Sequence, residues 1–365
     1  MVFNCLMFPE FCLDTGGFFH ILHVFFLSYP SKNRLSADCA FYTERKPLAS
    51  FLNQKIKVMK QFIISSFFLF TFFISSGQDL LSEADSLKGE GLLVAALEKY
   101  GTAFAHDPKP ETSYRLASTC ALLWTRQMRD TAFFFLNLAL QNDSSLEALY
   151  DPNFLSLIDD PKWEKVEDAQ FEKYEAKNGA IREKAFTREL FRMIIKDQGF
   201  MYAGNIERRK YMRNGGYFST PAIFPVLAME EKNHAENEER LFPLLDKYGW
   251  PTASAVTEYA AAGAALIINH STHEVRAKYF PMLEEAFQKG EAQPLRYAKM
   301  CDRLLVEEGK DQRFGTQWQF EGNQRVPYPI EKPEYVDKRR AEIGLEPLHE
   351  YLKERFDIDW NVAQK

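Results

Sequence analysis

A chain of 365 residues with 45 Lys/Arg against 51 Asp/Glu carries a net charge of −6 and holds no basic cluster, which argues against nucleic acid and anionic membrane surfaces as partners. Hydrophobic residues make up 46% of it, enough for one large domain or two ordinary ones, and five cysteines are too few for a disulfide scaffold.

Residues 1–58 differ from the rest. They hold three of the five cysteines, Cys5, Cys12 and Cys39, and no helical or alternating period runs through them. They read as a disordered stretch upstream of the true start, with translation beginning at Met59; the alternative is a genuine leader or a first hydrophobic segment around Gly17–Leu27, too short to span a membrane. Met59–Gly77 then has the layout of a signal peptide. Lys60 gives a positive start, Phe62–Ile74 a 13-residue apolar run, and Ser75-Ser76-Gly77 a small-residue cleavage site. The run is too short to span a bilayer, so no stable membrane span is expected after cleavage. An exported protein is expected, periplasmic or extracellular. Its mature chain keeps 38 basic and 47 acidic residues, a net charge of −9, and two cysteines, Cys120 and Cys301, both on apolar helical faces and expected as buried free thiols.

Residues 79–167 read as tetratricopeptide-like repeats. Ala96, Tyr100, Ala103 and Pro108 set a small, large, small, proline pattern, and Ala132, Leu136 and Ala139 repeat its first three positions 36 residues on, near the ~34-residue period of such repeats. Small residues let paired helices approach and the large one fills the gap. Asp151–Val166, with Phe154, Leu157, Ile158 and Trp163, reads as the cap that closes the stack.

From about Asp168 longer helices take over, giving a second domain over 168–365. Gly179–Lys196 carries Phe186, Leu190, Ile194 and Ile195 at helical spacing, and Asn214-Gly215-Gly216 breaks the run. Pro221 opens a helix to Tyr248, and Gly249-Trp250-Pro251 stops it. Ala253–Ile268 is a small-residue helix, Thr272 caps another ending at Gly290, and Pro294 starts one ending at Gly309. The alternation around Trp318 and Phe320, with the turn at Gly322, predicts one short β-hairpin before two closing helices. The fold class expected is mainly α: tetratricopeptide-like helical hairpins, then a helical domain with one short β-hairpin.

Chemistry-bearing residues concentrate in the second half: Gly249-Trp250-Pro251, Asn269-His270, Asp302-Arg303, the loop Gln312-Arg313-Phe314-Gly315-Thr316-Gln317, Arg339-Arg340 and Gly344-Leu345. Over residues 230–352 this spaced set resembles bacterial domain-of-unknown-function family number 6624, whose motifs run GWP, QHAD, DRV, QRYGTQ, RR and GL. The chain departs at Asn269, at Ser271-Thr272 and at Phe314, losing an acid and a hydroxyl. The resemblance implies a relative and no activity.

Two functional readings stand. The first is an exported, non-catalytic module that binds a peptide or protein partner through its helical repeats. The second is a hydrolase-like enzyme or small anionic-ligand binder. There His270 and Asp302 are the catalytic candidates, an imidazole base oriented by an acid. Arg303, Gln312, Arg313, Thr316, Gln317 and Trp250 are the ligand-binding candidates, since arginines beside a glycine turn suit carboxylate or phosphate. A buried polar network that locks hairpin to helix calls for the same residues in the loop. No metal site and no cofactor is expected: Glu230, His234 and Glu238 share a helix face, but the charged surroundings read as a solvated face. No G-x-S-x-G elbow or phosphate loop occurs.

Overall fold

The computed structural model describes residues 77–216, 220–322 and 324–365. The expectations for 1–58 and for the signal peptide lie outside them, save Gly77 itself.

Small residues set the first layer. Helices α1 (Gly77–Gly89) and α2 (Leu93–His106) form one hairpin, and α3 (Pro110–Ala121) and α4 (Arg126–Ala139) the next. Proline at the first turn starts α3, and the Thr125 hydroxyl starts α4 by accepting from the Met128 amide. Ala96, Tyr100, Ala103, Ala132, Leu136 and Ala139 are all buried, as the pairing of helices on small residues requires. Cys120 and Cys301 are buried free thiols. Two short 3-10 turns come next, Glu147–Tyr150 and Pro152–Leu157, and then α5 (Pro161–Asn178).

The helix α5 runs through residues 167 and 168, where the sequence suggests a boundary. Its Glu167 is 1% exposed, accepts from the Trp163 indole at 3.0 Å, and takes a two-pronged contact from Arg192 at 2.7 and 2.5 Å. Arg192 lies on the next helix, α6 (Lys184–Gln198), so a half-buried ion pair joins the first layer to the longer helices of the second half. Residues Gly77–Lys365 accordingly form one compact unit.

The remaining helices are α7 (Met201–Arg213), α8 (Ile223–Tyr248), α9 (Ala253–Val256), α10 (Glu258–His270), α11 (His273–Gln288) and α12 (Pro294–Glu307). The small-residue helix expected over 253–268 is two helices. Thr257 separates them at φ +99°, and its hydroxyl caps α10 by accepting from Ala260 N. A hairpin of β1 (Trp318–Glu321) and β2 (Gln324–Pro327) pairs Trp318 with Pro327 and Glu321 with Gln324. Helices α13 (Val336–Glu342) and α14 (Leu348–Phe356) close the chain, burying Val336, Leu348, Tyr351 and Leu352 in a common core. The described residues hold fourteen α-helices and this one hairpin, so the chain is mainly α. No helix among them is long and apolar enough to cross a membrane.

Helices α6 and α10 lie side by side and point the same way. Near their starts, through α9 just ahead of α10, the Glu183 amide donates to Ala255 O at 3.0 Å, and the Thr187 hydroxyl to Val256 O at 2.7 Å. Midway, a Cβ at Gly263 would come within 2.5 Å of the Ile194 side chain, so the backbones meet where glycine allows it. Helix α8 crosses α6 in the opposite direction: Asn237 Nδ2 donates to Met193 O and Asn233 Nδ2 to Lys196 O, both at 2.9 Å. Lys196 O belongs to the last turn of α6, which has no intrahelical donor for it.

Candidate functional site

The packing of α6, α8 and α10 brings three side chains together. Asp197, in the last turn of α6, is 3% exposed. His270 is the last residue of α10, and its Nδ1 lies 3.0 and 2.9 Å from the two Asp197 carboxylate oxygens. His234, mid-way along α8, places Nε2 at 3.4 Å from Asp197 Oδ1. The two imidazole centroids are 5.6 Å apart. Gln198 Nε2 donates to Asp197 Oδ2, and both histidine side chains are 30% exposed.

A cleft of about 460 Å³ opens beside the group, with Asp197, Gln198, Glu230 and His270 on its wall. Tyr211, Ile223 and Leu227 from α7 and α8 supply apolar surface opposite. Glu207 also lines the cleft and accepts from the Thr220 hydroxyl. Polar groups converging in a recess that also has apolar wall are a usual form of small-molecule site.

Helix α12 carries cations, none of which lines the cleft. Arg296, Lys299 and Arg303 recur there at helical spacing and share a face. Burial lowers the pKa of Arg296, which lies within electrostatic range of the Asp197 carboxylate. Burial and the Arg296 and Arg355 guanidinium groups push the Lys299 amine down to about 8. Arg303 is also shifted down by burial and by Arg276. Arg276 is 3% exposed; it donates to Asn269 O at 3.1 Å and to Ser271 O, the carbonyls on either side of His270. It also holds Glu307, to which Arg303 donates at 3.5 Å. One ionic chain thus links Arg303 to the end of α10 that carries His270.

The other sequence-predicted residues lie elsewhere. Asp302 is fully buried and does not serve His270. Its oxygens accept from the amides of Arg313 at 2.8 Å, Phe314 at 3.0 Å and Thr316 at 2.9 Å, and from the Thr316 hydroxyl at 2.9 Å. Burial pushes its carboxyl pKa up while these donors pull it down. The loop carbonyls are held as well, Arg313 O by Arg339 Nε at 2.9 Å and Phe314 O by Arg340 Nη1 at 2.6 Å. Gln312, with no exposed surface, donates to Gln317 O and Tyr328 O at 2.9 Å and accepts from the Gln317 amide at 2.8 Å. Gln317 Nε2 reaches Lys299 O at 3.3 Å. Gln312, Thr316 and Asp302 therefore form a buried lock between α12, the hairpin and α13, while the Arg313 side chain is exposed. Trp250 is 9% exposed and lines a separate recess with Arg182 and Tyr248.

Sequence reasoning missed Asp197 and misread His234. An acid in the last helical turn, against the dipole preference, marks Asp197 as unusual. On α8 the buried residues run Asn233, Asn237, Leu241, Leu245, and Glu230, His234 and Glu238 form the adjacent row, which is half-buried. Asn233 supplies the donor that the Lys196 carbonyl lacks within α6, and Asn237 adds a second donor to the Met193 carbonyl.

A family of unknown function, DUF6624, matches residues 193–359. The match takes in Asp197, His234, His270, Asp302 and the 312–317 loop, and extends upstream of the 230–352 stretch that carries the motif resemblance. No curated protein and no solved structure matches the chain.

Proposed function

We propose that the cleft headed by Asp197 and His270 is a hydrolase-like site for a small anionic compound. The observation that carries this is the buried Asp197 carboxylate holding His270 Nδ1 on the wall of a cleft of about 460 Å³. A carboxylate fixed in this way sets the orientation of an imidazole and stabilises positive charge on it, which is what proton transfer to or from a bound ligand needs. The orienting acid in this reading is Asp197, with Asp302 kept as a structural group. Two cations support an anion preference: Arg208 on the cleft wall, and Arg296, a desolvated guanidinium within electrostatic range of Asp197 whose charge an anionic ligand would offset. The apolar wall from Tyr211 to Leu227 suits the uncharged part of such a ligand.

A thermal-shift screen of phosphate monoesters and small carboxylates on the full-length protein tests this. At least one class raises the melting temperature of the wild type, and His270→Ala and Arg296→Ala, still folded, lose the shift. A screen without any shift, or shifts that persist in both variants, refutes the reading.

A second reading concerns the helical hairpins, where Leu92, Val94 and Phe134 are 54%, 52% and 48% exposed. These apolar side chains beside the repeat-like stack support a tetratricopeptide-like surface for a peptide or protein partner, on a protein exported through Met59–Gly77. In-cell cross-linking tests it: Leu92→Asp with Val94→Asp removes the adduct while the melting temperature holds. N-terminal sequencing of exported product that finds an end far from Gln78 overturns the processing claim.

A further inference from the structure

We infer that Asp197, His234 and His270 form a binding site for a divalent first-row transition-metal ion, with zinc the best chemical match. The three ligand atoms lie within 4.8 Å of one another, one carboxylate oxygen and two imidazole nitrogens. In a tetrahedral site with bonds of about 2.1 Å, neighbouring donor atoms sit about 3.4 Å apart. The contacts to Asp197 Oδ1, 3.0 Å from His270 Nδ1 and 3.4 Å from His234 Nε2, are close to that edge length.

Hydrogen bonding alone leaves one member unexplained. His234 Nε2 is buried and has no hydrogen-bond partner, although it faces the same carboxylate oxygen. A buried nitrogen without a partner costs free energy, and a shared cation between it and Asp197 removes that cost. The surroundings favour positive charge from another direction too. Helices α6 and α10 both end at the triad, so two helix C-termini direct their partial negative charge at one point. Supporting contacts are in place: Gln198 fixes Asp197, and Asn233 and Asn237 fix α8 against α6 on either side of His234. Three protein donors beside an open cleft match the composition of zinc sites that keep a fourth position for water or substrate.

The metal site rests on the proposed function only for the place of the chemistry. An ion held by Asp197, His234 and His270 would supply Lewis acidity at the head of the cleft, and His270 would then serve as a ligand and not as the proton-transfer group.

The test uses full-length protein stripped with a chelator and titrated with Co²⁺. Wild type takes up one equivalent with the visible d–d absorption of a tetrahedral ion, gains melting temperature, and releases the cobalt to Zn²⁺. His234→Ala weakens Co²⁺ binding at least tenfold while keeping its far-UV spectrum, since this side chain is half-buried and carries no hydrogen bond the fold needs. Asp197→Asn and His270→Ala do the same, and His234→Ala alone suffices if those two unfold. Absence of a d–d spectrum and of any melting shift in the wild type overturns the inference, as does unchanged binding in His234→Ala. The anion screen run on chelated protein separates the two claims: anion shifts with no metal uptake leave the cleft reading standing, and metal uptake with no anion shift leaves the metal site standing.

Discussion

Replacing Asp302 measures how much of the second half of the chain depends on one buried carboxylate. Its two oxygens take four donors, three loop amides and a hydroxyl, at 2.8–3.0 Å. Asp302→Ala strands all four; a buried donor left unpaired costs about 1–3 kcal/mol, against which the substitution removes the desolvation penalty of a buried charge. The net expected loss is about 3–4 kcal/mol. Asp302→Asn keeps the shape and one oxygen, turns an amide nitrogen toward two of the donors, and loses about 2 kcal/mol. Thr316→Val deletes the hydroxyl alone, at about 1 kcal/mol. Domains of this kind hold about 5–15 kcal/mol in all, so the alanine variant sits near the edge of folding. Urea denaturation reads the three midpoints, and hydrogen exchange at the amides of Arg313, Phe314 and Thr316 reads the lock directly. If Asp302→Ala shifts stability by less than about 1 kcal/mol with an unchanged m-value, the lock is not what holds the loop.

Three other outcomes are expected from the packing. The Lys299 amine, pushed down to about 8, binds fewer protons in the native state than in the unfolded chain between about pH 8 and the ordinary lysine range, so stability rises with pH across that window. Lys299→Met raises the stability read by urea at pH 7 by about 1–2 kcal/mol once partial exposure is discounted, and the gain vanishes above about pH 10.5; a pH-independent gain contradicts this assignment. Gly263→Val forces side-chain atoms into Ile194 and separates α6 from α10, costing about 1–3 kcal/mol and weakening Co²⁺ uptake at the triad; a melting temperature equal to wild type rules out the close approach. Burial pushes the Cys120 and Cys301 thiols up to about 12, so neither reacts with a thiol reagent until urea unfolds the chain; fast labelling of the native protein contradicts their burial.

Much of this architecture is legible in the sequence because punctuation and packing agree. Pro110, Pro161, Pro294 and the cap residues Thr125 and Thr272 all stand where helices start. The loop Gln312–Gln317 stands out as polar and glycine-bearing, but one string of letters serves a ligand site and a buried network alike. Only the partners decide, and Asp302, Arg339 and Arg340 turn the loop inward. Asp197 and His234 are illegible for a different reason. They lie 37 residues apart on helices whose relative register depends on asparagine-to-carbonyl bonds, and no periodicity reports those.

The parallel pair α6 and α10 has a mechanical consequence. The bonds that fix their alignment, Glu183 to Ala255 and Thr187 to Val256, join the start of α6 to α9 just ahead of α10, at the far end from Asp197 and His270, about 15–20 Å away along α6 at 1.5 Å per residue. The two helices act as a pair of rods clamped at the base. A slip of one residue at that clamp swings its rod by about 100° and takes its triad member out of reach. Alignment of the site is therefore stored remotely, and substitutions near Thr187 reach the cleft without touching it.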